Sequence, residues 1–240
     1  MKAHVGIAIA IATGALTTAL AGTALAQQQD YETTPQYSRS PVRAPRGAFE
    51  IGVNTGYTQG FGNIAQGERV GRSADAGAGV GLNLAYRATP AFSIGVTGQG
   101  QQFNADGRLG SGARVRGLAT SVDATVHFAP YQRIDPFLSL GTGYRLLWTA
   151  PRGADNNELT HGFQLARVNV GLDVRVHDSV ALGPMIGADL NMFVWRNPEG
   201  RVGNERIDDL GVNTFIYGGL QGRFDVGGRR EAQIREVSRR

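Results

Sequence analysis

The chain has 240 residues, of which 24 are basic, 20 are acidic, 35 are glycine and none is cysteine. The absence of cysteine excludes disulfide scaffolds, thiol catalysis and thiolate metal sites. Arginines and acids are interleaved along the whole length, so the chain lacks the basic face that a nucleic-acid-binding protein needs. We therefore expect no nucleic-acid partner.

The N-terminal segment has the features of an export signal. It combines Lys2, an apolar run from Val5 to Leu20 and the small-residue site Ala24-Leu25-Ala26. We expect a signal peptide at residues 1–26, because the apolar run is short for the alternative, an uncleaved membrane anchor. Lys2 is the only lysine, so a mature chain starting at Gln27 would be nearly balanced in charge.

Residues 27–47 are polar, include three prolines and show no hydrophobic periodicity. Such a segment buries too little apolar area to order itself. The sequence therefore predicts a flexible periplasmic linker at 27–47.

An alternation of apolar and polar residues begins at Ala48 and recurs in eight segments up to Val226. It is clearest from Ala166 to Val176 and from Val180 to Val194, where the even positions are mostly apolar. A period of two predicts strands rather than helices. About ten uncharged apolar positions on one face match the length of a tilted strand that crosses a bilayer.

The connections between these segments alternate between long and short, as in bacterial membrane barrels. Long connections occur at 60–75, 103–113, 149–162 and 196–210, and shorter ones at 88–91, 129–135 and 178–179. We predict an all-β fold, an eight-stranded antiparallel up-and-down transmembrane β-barrel, at residues 48–226. Both chain ends would be periplasmic, and residues 227–240 would form a basic periplasmic tail.

A soluble lipocalin-type barrel is the alternative, since it shows the same alternation with the faces reversed. The polar face decides between them, because it consists mostly of small residues with a few charges of both signs rather than many long charged side chains. In an eight-stranded barrel such charges must pair inside the lumen. The predicted lumen network comprises Glu50, Arg87, Asp123, Arg145, Arg167, Asp173, Arg175, Asp189 and Arg223.

Aromatic residues on the apolar face fall near the strand ends, which is typical of the two aromatic girdles of a membrane barrel. The predicted interfacial aromatics are Phe49, Tyr57, Tyr86, Phe92, Phe128, Tyr144, Trp148 and Phe224.

Over residues 48–226 this pattern resembles the small eight-stranded outer-membrane β-barrel proteins, of the kind represented by OmpX, OmpW and the transmembrane domain of OmpA. The segment from Tyr217 to Phe224 is similar to the aromatic-ended last strand of that family, although sixteen residues follow it here. The resemblance implies a bacterial outer-membrane location. It also implies the outer-membrane assembly machinery, outer-membrane lipids and lipopolysaccharide as partners.

Residues that could carry chemistry are few. His127 and His177 lie near the short connections but lack an evident third metal ligand. His161, Asp155 and Glu158 in the third long connection could belong to a lipid-modifying enzyme, but no serine or cysteine accompanies them there. We therefore expect no catalytic residue, metal site or cofactor.

The resulting expectation is a non-enzymatic outer-membrane barrel with a largely plugged polar lumen. Its role would be structural, or one of surface interaction through the outer loops. A channel for small solutes or hydrophobic molecules is the alternative, and a lipid-modifying envelope enzyme is the weaker one.

Overall fold

Eight long antiparallel strands make up most of the structure, a computed structural model that describes residues 36–104, 113–150, 157–198 and 203–237. No helix in these ranges is long and apolar enough to span a membrane. The strands are β1 (Ala48–Ala65), β2 (Ala76–Thr89), β3 (Phe92–Phe103), β4 (Arg114–His127), β5 (Ile134–Ala150), β6 (Glu158–His177), β7 (Val180–Pro198) and β8 (Val212–Val226).

The sheet closes on itself. Each strand pairs with the next along the chain, and β8 pairs with β1 in a continuous register that runs from Asn213 opposite Gly62 to Val226 opposite Phe49. Closure gives every strand two neighbours, which satisfies the backbone hydrogen-bonding groups without an open edge. The predicted fold class, an eight-stranded antiparallel up-and-down barrel, is confirmed.

The two faces of the strands differ in composition as the alternation predicts. Side chains directed outward form an exposed apolar belt, whereas polar side chains of the other parity are buried inside the barrel. A water-soluble monomer rarely exposes an apolar surface of this extent, but a lipid bilayer covers it favourably. The exposed belt includes Val53, Val80, Leu82, Leu84, Ile94, Val122, Leu140, Val170, Ile186 and Leu220.

Irregular pairing interrupts the alternation between the middle and the long-loop ends of β5, β6 and β7. The register shifts between Gly141 and Gly143 of β5. On β7 it shifts near the last short turn, between Val180 and Ala181, and again between Leu190 and Asn191 and between Phe193 and Trp195. A bulge adds one residue to a strand and reverses the facing of those that follow. The alternation predicts Val194, an even position of β7, on the outer face, but Val194 is buried at the bulge.

The connections at one end of the barrel are short and those at the other end are long. Residues 90–91, 128–133 and 178–179 make the short turns. The first long loop carries the short strand Glu68–Arg69 and the helical turn Val70–Ser73, and the last carries the strand Glu205–Arg206. Ala48 and Val226, the two ends of the barrel, both lie at the short-turn end.

The segments that flank the barrel pair with each other. Ala44–Arg46 pairs with Arg229–Glu231, and Gln36–Arg39 forms a second two-stranded sheet with Ile234–Val237. The sequence predicts a flexible linker and a basic tail here, and it does not predict this pairing. The reason is that β1 and β8 already run side by side, so backbone pairing can continue past the barrel without an apolar core.

We call these paired flanking segments, Gln36–Arg39, Ala44–Arg46, Arg229–Glu231 and Ile234–Val237, the terminal ladder. Glycine permits the turn between the barrel and the terminal ladder. Gly47, Gly227 and Gly228 have φ values of 61°, 71° and 69°, a region that other residues avoid. Arg46 then pairs with Glu231 across the ladder at 3.3 Å.

We expect unheated protein to migrate differently from boiled protein in detergent gels, because the closed hydrogen-bonded barrel resists unfolding by detergent. Circular dichroism should show mainly strand before heating. Identical migration of the two samples, together with a helical spectrum, would contradict the closed barrel.

Deletion of residues 227–240 should leave the barrel folded, because β8 retains all its partners on β1 and β7. The deletion also brings Phe224 close to the terminus, so insertion into vesicles by the assembly machinery should be unchanged or faster. The measurement compares folding yields of the full-length and truncated chains. A truncated chain that fails to insert would show that the terminal ladder carries assembly information.

Candidate functional site in the barrel interior

The structure places all nine residues of the predicted lumen network inside the barrel. Eight of them are buried, and the side chain of Arg223 is 11% exposed. They divide into two clusters with charges of both signs. We call these the short-turn cluster, built on Glu50, Arg87, Asp173, Arg175 and Arg223, and the central cluster, built on Asp123, Arg145, Arg167 and Asp189.

In the short-turn cluster, Arg87 joins the first barrel strand to the first turn. Its guanidinium pairs with Glu50 at 2.9 Å and donates to the carbonyl of Pro90 at 3.1 Å. A second nitrogen lies 3.7 Å from a carboxylate oxygen of Asp135. Burial of a charge is costly without such partners, so these contacts are what permit Arg87 to be fully buried.

His127 occupies the middle of the same cluster. Arg223 approaches its Nε2 atom at 2.7 Å, and Asp135 lies 2.8 Å from its Nδ1 atom. A guanidinium can only donate hydrogen bonds, so Nε2 accepts and Nδ1 carries the proton that is donated to Asp135. His127 is thus a neutral link between an arginine and an aspartate.

His127, Asp135 and Asp173 are also a geometric candidate for a metal site, because one ligand atom from each lies within 4.8 Å of the others. However, Arg223 pairs with Asp173 at 2.9 Å, and Gln221 donates to the same carboxylate at 2.7 Å. The aspartates already have cationic and neutral donors as partners. A cation would have to displace Arg223 from both His127 and Asp173, so the arrangement favours an ion-pair network.

Arg175 completes the short-turn cluster at the edge of the barrel. It pairs with Asp225 at 2.5 Å. Arg230 of the terminal ladder reaches the same carboxylate at 3.3 Å and donates to the carbonyl of Asp178 at 2.6 Å. The terminal ladder is therefore tied to the last turn and to the end of β8.

The central cluster is built around Arg145, which has no exposed surface. This guanidinium pairs with Asp189 at 2.6 Å and donates to the side-chain oxygens of Gln101 at 2.8 Å and Asn191 at 3.1 Å. Its carbon also lies 3.9 Å from the centre of the Phe215 ring. Four groups on three strands, β3, β7 and β8, thus contact one side chain across the lumen.

Arg167 links the remaining acids of the central cluster. Its Nε atom is 3.8 Å from Asp189 and 3.9 Å from Asp123, and a second nitrogen donates to Gln99 at 3.2 Å. Asp123 also accepts hydrogen bonds from Thr97 at 2.6 Å and Ser121 at 2.8 Å. The two arginines and two aspartates of this cluster balance in charge.

A layer of larger side chains lies between the two clusters. Phe137, Met185 and Tyr217 pack together, and the Tyr217 hydroxyl contacts the side chain of Asn169. The cavity beside them has a volume of about 50 Å³ and is lined largely by small polar residues. That volume holds a few water molecules at most.

Toward the long loops the interior is apolar rather than polar. Nine buried hydrophobic residues pack into a cluster that we call the apolar plug: Ile64, Val70, Ala74, Phe103, Val115, Leu147, Phe193, Ile207 and Phe215. It includes residues of the first and last long loops as well as strand residues, so the described parts of these loops fold inward over the lumen.

One ion-paired group lies beyond the apolar plug. Arg196 of β7 pairs with Glu68 of the first long loop at 2.6 Å and with Glu158 of β6 at 2.9 Å. These side chains are about one third exposed, which limits the contribution of the pairs to stability. Their effect is to tie the first loop to the barrel rim.

The eight predicted interfacial aromatics all lie on the outer surface. Seven are at least 39% exposed, and Tyr144 is half-buried by neighbouring rings. Phe163 and Trp195 join Tyr144 on that side. The bulges on β6 and β7 turn these two residues outward.

The histidines weighed for chemistry are separated in the structure. His177 is exposed in the last turn, whereas His127 is buried. His161 lies on the outer face, stacked on Trp195 and 2.5 Å from the Tyr144 hydroxyl. Glu158 is engaged by Arg196, and Asp155 lies outside the described residues. The described groups therefore do not assemble a nucleophile, a base and an acid.

Three features of the interior were missed from the sequence. The sequence pattern places Asp135 in a turn, but it is the first inward residue of β5. Asp225 follows Phe224 with the correct parity for the lumen and could have been found by extending β8. The apolar plug could not be found by alternation, because its strand residues occupy positions where the pattern predicts polar side chains.

Comparison with known proteins supports the fold and gives no sequence relative. No protein-family model and no curated protein matches the chain. Among solved structures, the outer membrane protein OprG from Pseudomonas aeruginosa is similar, with 12% identity and a TM-score of 0.50, over 76% of this chain and 98% of that one. Neisserial surface protein A also matches, with 13% identity and a TM-score of 0.49, over 75% and 99% of the two chains.

At 12% identity, the structural likeness to OprG shows the fold and not a shared activity. The closed eight-stranded sheet, its apolar outer belt and the likeness to OprG agree with one another. The chain has the transmembrane β-barrel fold of the small eight-stranded outer-membrane proteins.

Proposed function

We propose that this protein is a bacterial outer-membrane barrel with a closed interior, which acts as a structural or surface-interaction protein rather than as a pore or an enzyme. The long-loop end would face outward and both chain ends would face the periplasm, as the family's usual topology has it. The assembly machinery would insert it, and outer-membrane lipids and lipopolysaccharide would surround it.

The observation that carries this proposal is the occlusion of the lumen at successive levels. A solute entering from the long-loop end meets the apolar plug, then the central cluster, then the layer of Phe137, Met185 and Tyr217, and finally the short-turn cluster. Eight strands enclose a lumen that side chains can fill completely. Passage would therefore require several independent groups to move together.

The charged clusters also argue for rigidity. Each buried guanidinium of the central cluster has a carboxylate and neutral acceptors from different strands. Breaking one such set leaves an uncompensated buried charge, which is strongly unfavourable. The buried clusters would therefore hold the strands in fixed positions. Interactions with other molecules would then occur through the loops and the outer surface.

A channel is the second candidate. Its supporting observation is the cavity of about 50 Å³ beside Asn54, Asn83 and Asn169, which is polar and could hold water. This cavity lies between the two charged clusters, so it would become a path only if both opened.

The unmodified protein in planar bilayers should show no large, steady conductance. A variant in which Phe103, Phe193 and Phe215 are all alanine should remain closed. The charged clusters would still block the lumen after the apolar plug is lost. Recording both proteins beside a general porin checks the assay. Steady channel steps from the unmodified protein would overturn the closed-barrel proposal in favour of the channel.

Substitution of Arg145 by methionine should destabilise the barrel by about 3 to 5 kcal/mol, because Asp189 stays buried with a weakened set of partners. Reversible unfolding in vesicles with denaturant measures this change. Arg43→Met is the matched control, since Arg43 is exposed at the short-turn end and should change stability by less than about 0.5 kcal/mol.

Adding Asp189→Asn to Arg145→Met should recover part of the loss, because the unpaired buried charge is removed. A double variant no more stable than the single one would indicate that shape, rather than charge pairing, determines the role of Arg145.

A further inference from the structure

The outer surface of the barrel carries an exception to its apolar composition. Among the outward positions of the eight strands, within the residues that the structure describes, the only arginine, lysine, aspartate or glutamate side chains are Arg114 and Arg116. Both are exposed and both lie on β4. All the other charged residues between the ends of these strands have the inward parity.

These two arginines are located at the long-loop end, just beyond the apolar belt. The next outward residues along β4 are Leu118, Thr120 and Val122, which continue into the belt. Trp148 of β5 lies directly opposite Arg116 and is 39% exposed. Tryptophan at this height is typical of the boundary between acyl chains and head groups, so the arginines lie at head-group level.

Neighbouring polar groups orient Arg116. Its Nε atom donates to the Gln102 side chain on β3 at 3.3 Å, and that side chain is itself fixed by a bond of 3.0 Å to the carbonyl of Val115. This contact uses the Nε edge, and no hydrogen bond within the described part of the chain occupies the two terminal nitrogens, which could meet an acceptor from the membrane. None of the described residues supplies a carboxylate to Arg114 or Arg116 at salt-bridge distance.

We propose that Arg114, Arg116 and Trp148 form a binding site for the phosphate groups of lipopolysaccharide in the outer leaflet. The inference rests on the proposed outward placement of the long-loop end. Arginine forms paired hydrogen bonds with phosphate oxygens, and clusters of arginines beside an apolar belt recognise anionic head groups. The adjacent belt would contact the acyl chains and Trp148 the boundary between the two regions.

Energetics restrict charge on the outer face to the head-group level. An arginine on the lipid face costs about 2 to 4 kcal/mol at the bilayer midplane and little at the interface, so charge there is tolerated only at the head-group level. The remainder of the outer face avoids charge altogether. Two arginines two residues apart on one strand are separated by about 7 Å, which places both within reach of one multiply phosphorylated head group.

The experiment measures lipopolysaccharide binding to the refolded full-length barrel in nanodiscs of neutral phospholipid. The probes are lipopolysaccharide, enzymatically dephosphorylated lipopolysaccharide and phosphatidylglycerol. Trp148 serves as a fluorescent reporter in a background that carries Trp195→Phe, because the chain has only two tryptophans. Retained lipid counted by native mass spectrometry gives an independent measure.

Arg114→Gln with Arg116→Gln should weaken lipopolysaccharide binding about tenfold to thirtyfold. The reason is that each arginine contributes roughly one order of magnitude or less to the affinity. Dephosphorylation of the ligand should have a similar effect on the unmodified barrel and little on the double variant. Arg39→Gln with Arg43→Gln is the matched control. It removes the same charge from exposed positions before the barrel and should change binding by less than twofold.

Equal weakening by both double variants, or none by either, would overturn the site. Phosphatidylglycerol that binds as tightly as lipopolysaccharide would overturn the choice of ligand. Heat-dependent gel migration verifies that each variant is folded. The site can fail while the barrel remains closed and non-conducting, and a conducting barrel can still bind the lipid, so this result and the bilayer recordings are separable.

Discussion

The narrow lumen of this barrel determines how its interior side chains are arranged. Eight strands enclose a space that is just filled by side chains, so the inward charged residues meet partners on neighbouring or opposite strands. Arg145 shows the consequence, because it spans the lumen to reach Gln101, Asp189 and Asn191. Some of the polar residues inside the barrel are therefore paired across strands that are distant in sequence, and these pairs hold the cross-section in one shape.

The general architecture follows from the sequence because its cause is local. Alternation with a period of two, turn-rich breaks and strands of bilayer length depend only on residues near one another, and they predict the eight strands and their facing. The bulges near Asn191 and Trp195 depend on how neighbouring strands pair, so the pattern alone missed the reversal that turns Phe163 and Trp195 outward.

The interior was predictable in composition but not in arrangement. Parity identifies most of the charged side chains that the lumen contains, because a charge on the lipid face would be penalised. Partner choice depends on register across the closed barrel. His127 bonds to Asp135 and Arg223, which are 8 and 96 residues away, and no local pattern indicates that set. The apolar plug has the same origin, since its members come from loops and strands that meet only after closure.

Charged side chains are common inside the barrel and rare on the described part of its outer face. The cost of a charge without a counter-ion explains both distributions. In the lumen, each cluster pairs arginines with acids, because water is largely excluded and each ion needs a counter-ion from the protein. On the outer face no protein counter-ion is provided for Arg114 or Arg116 by the described residues, although burial of Glu50, Asp123 and Asp189 shows that the fold readily places acids beside arginines elsewhere. The proposed lipopolysaccharide site would supply that counter-ion from the surroundings, which makes the rim of β4 the part of this surface where the identity of the neighbouring lipid has the greatest effect.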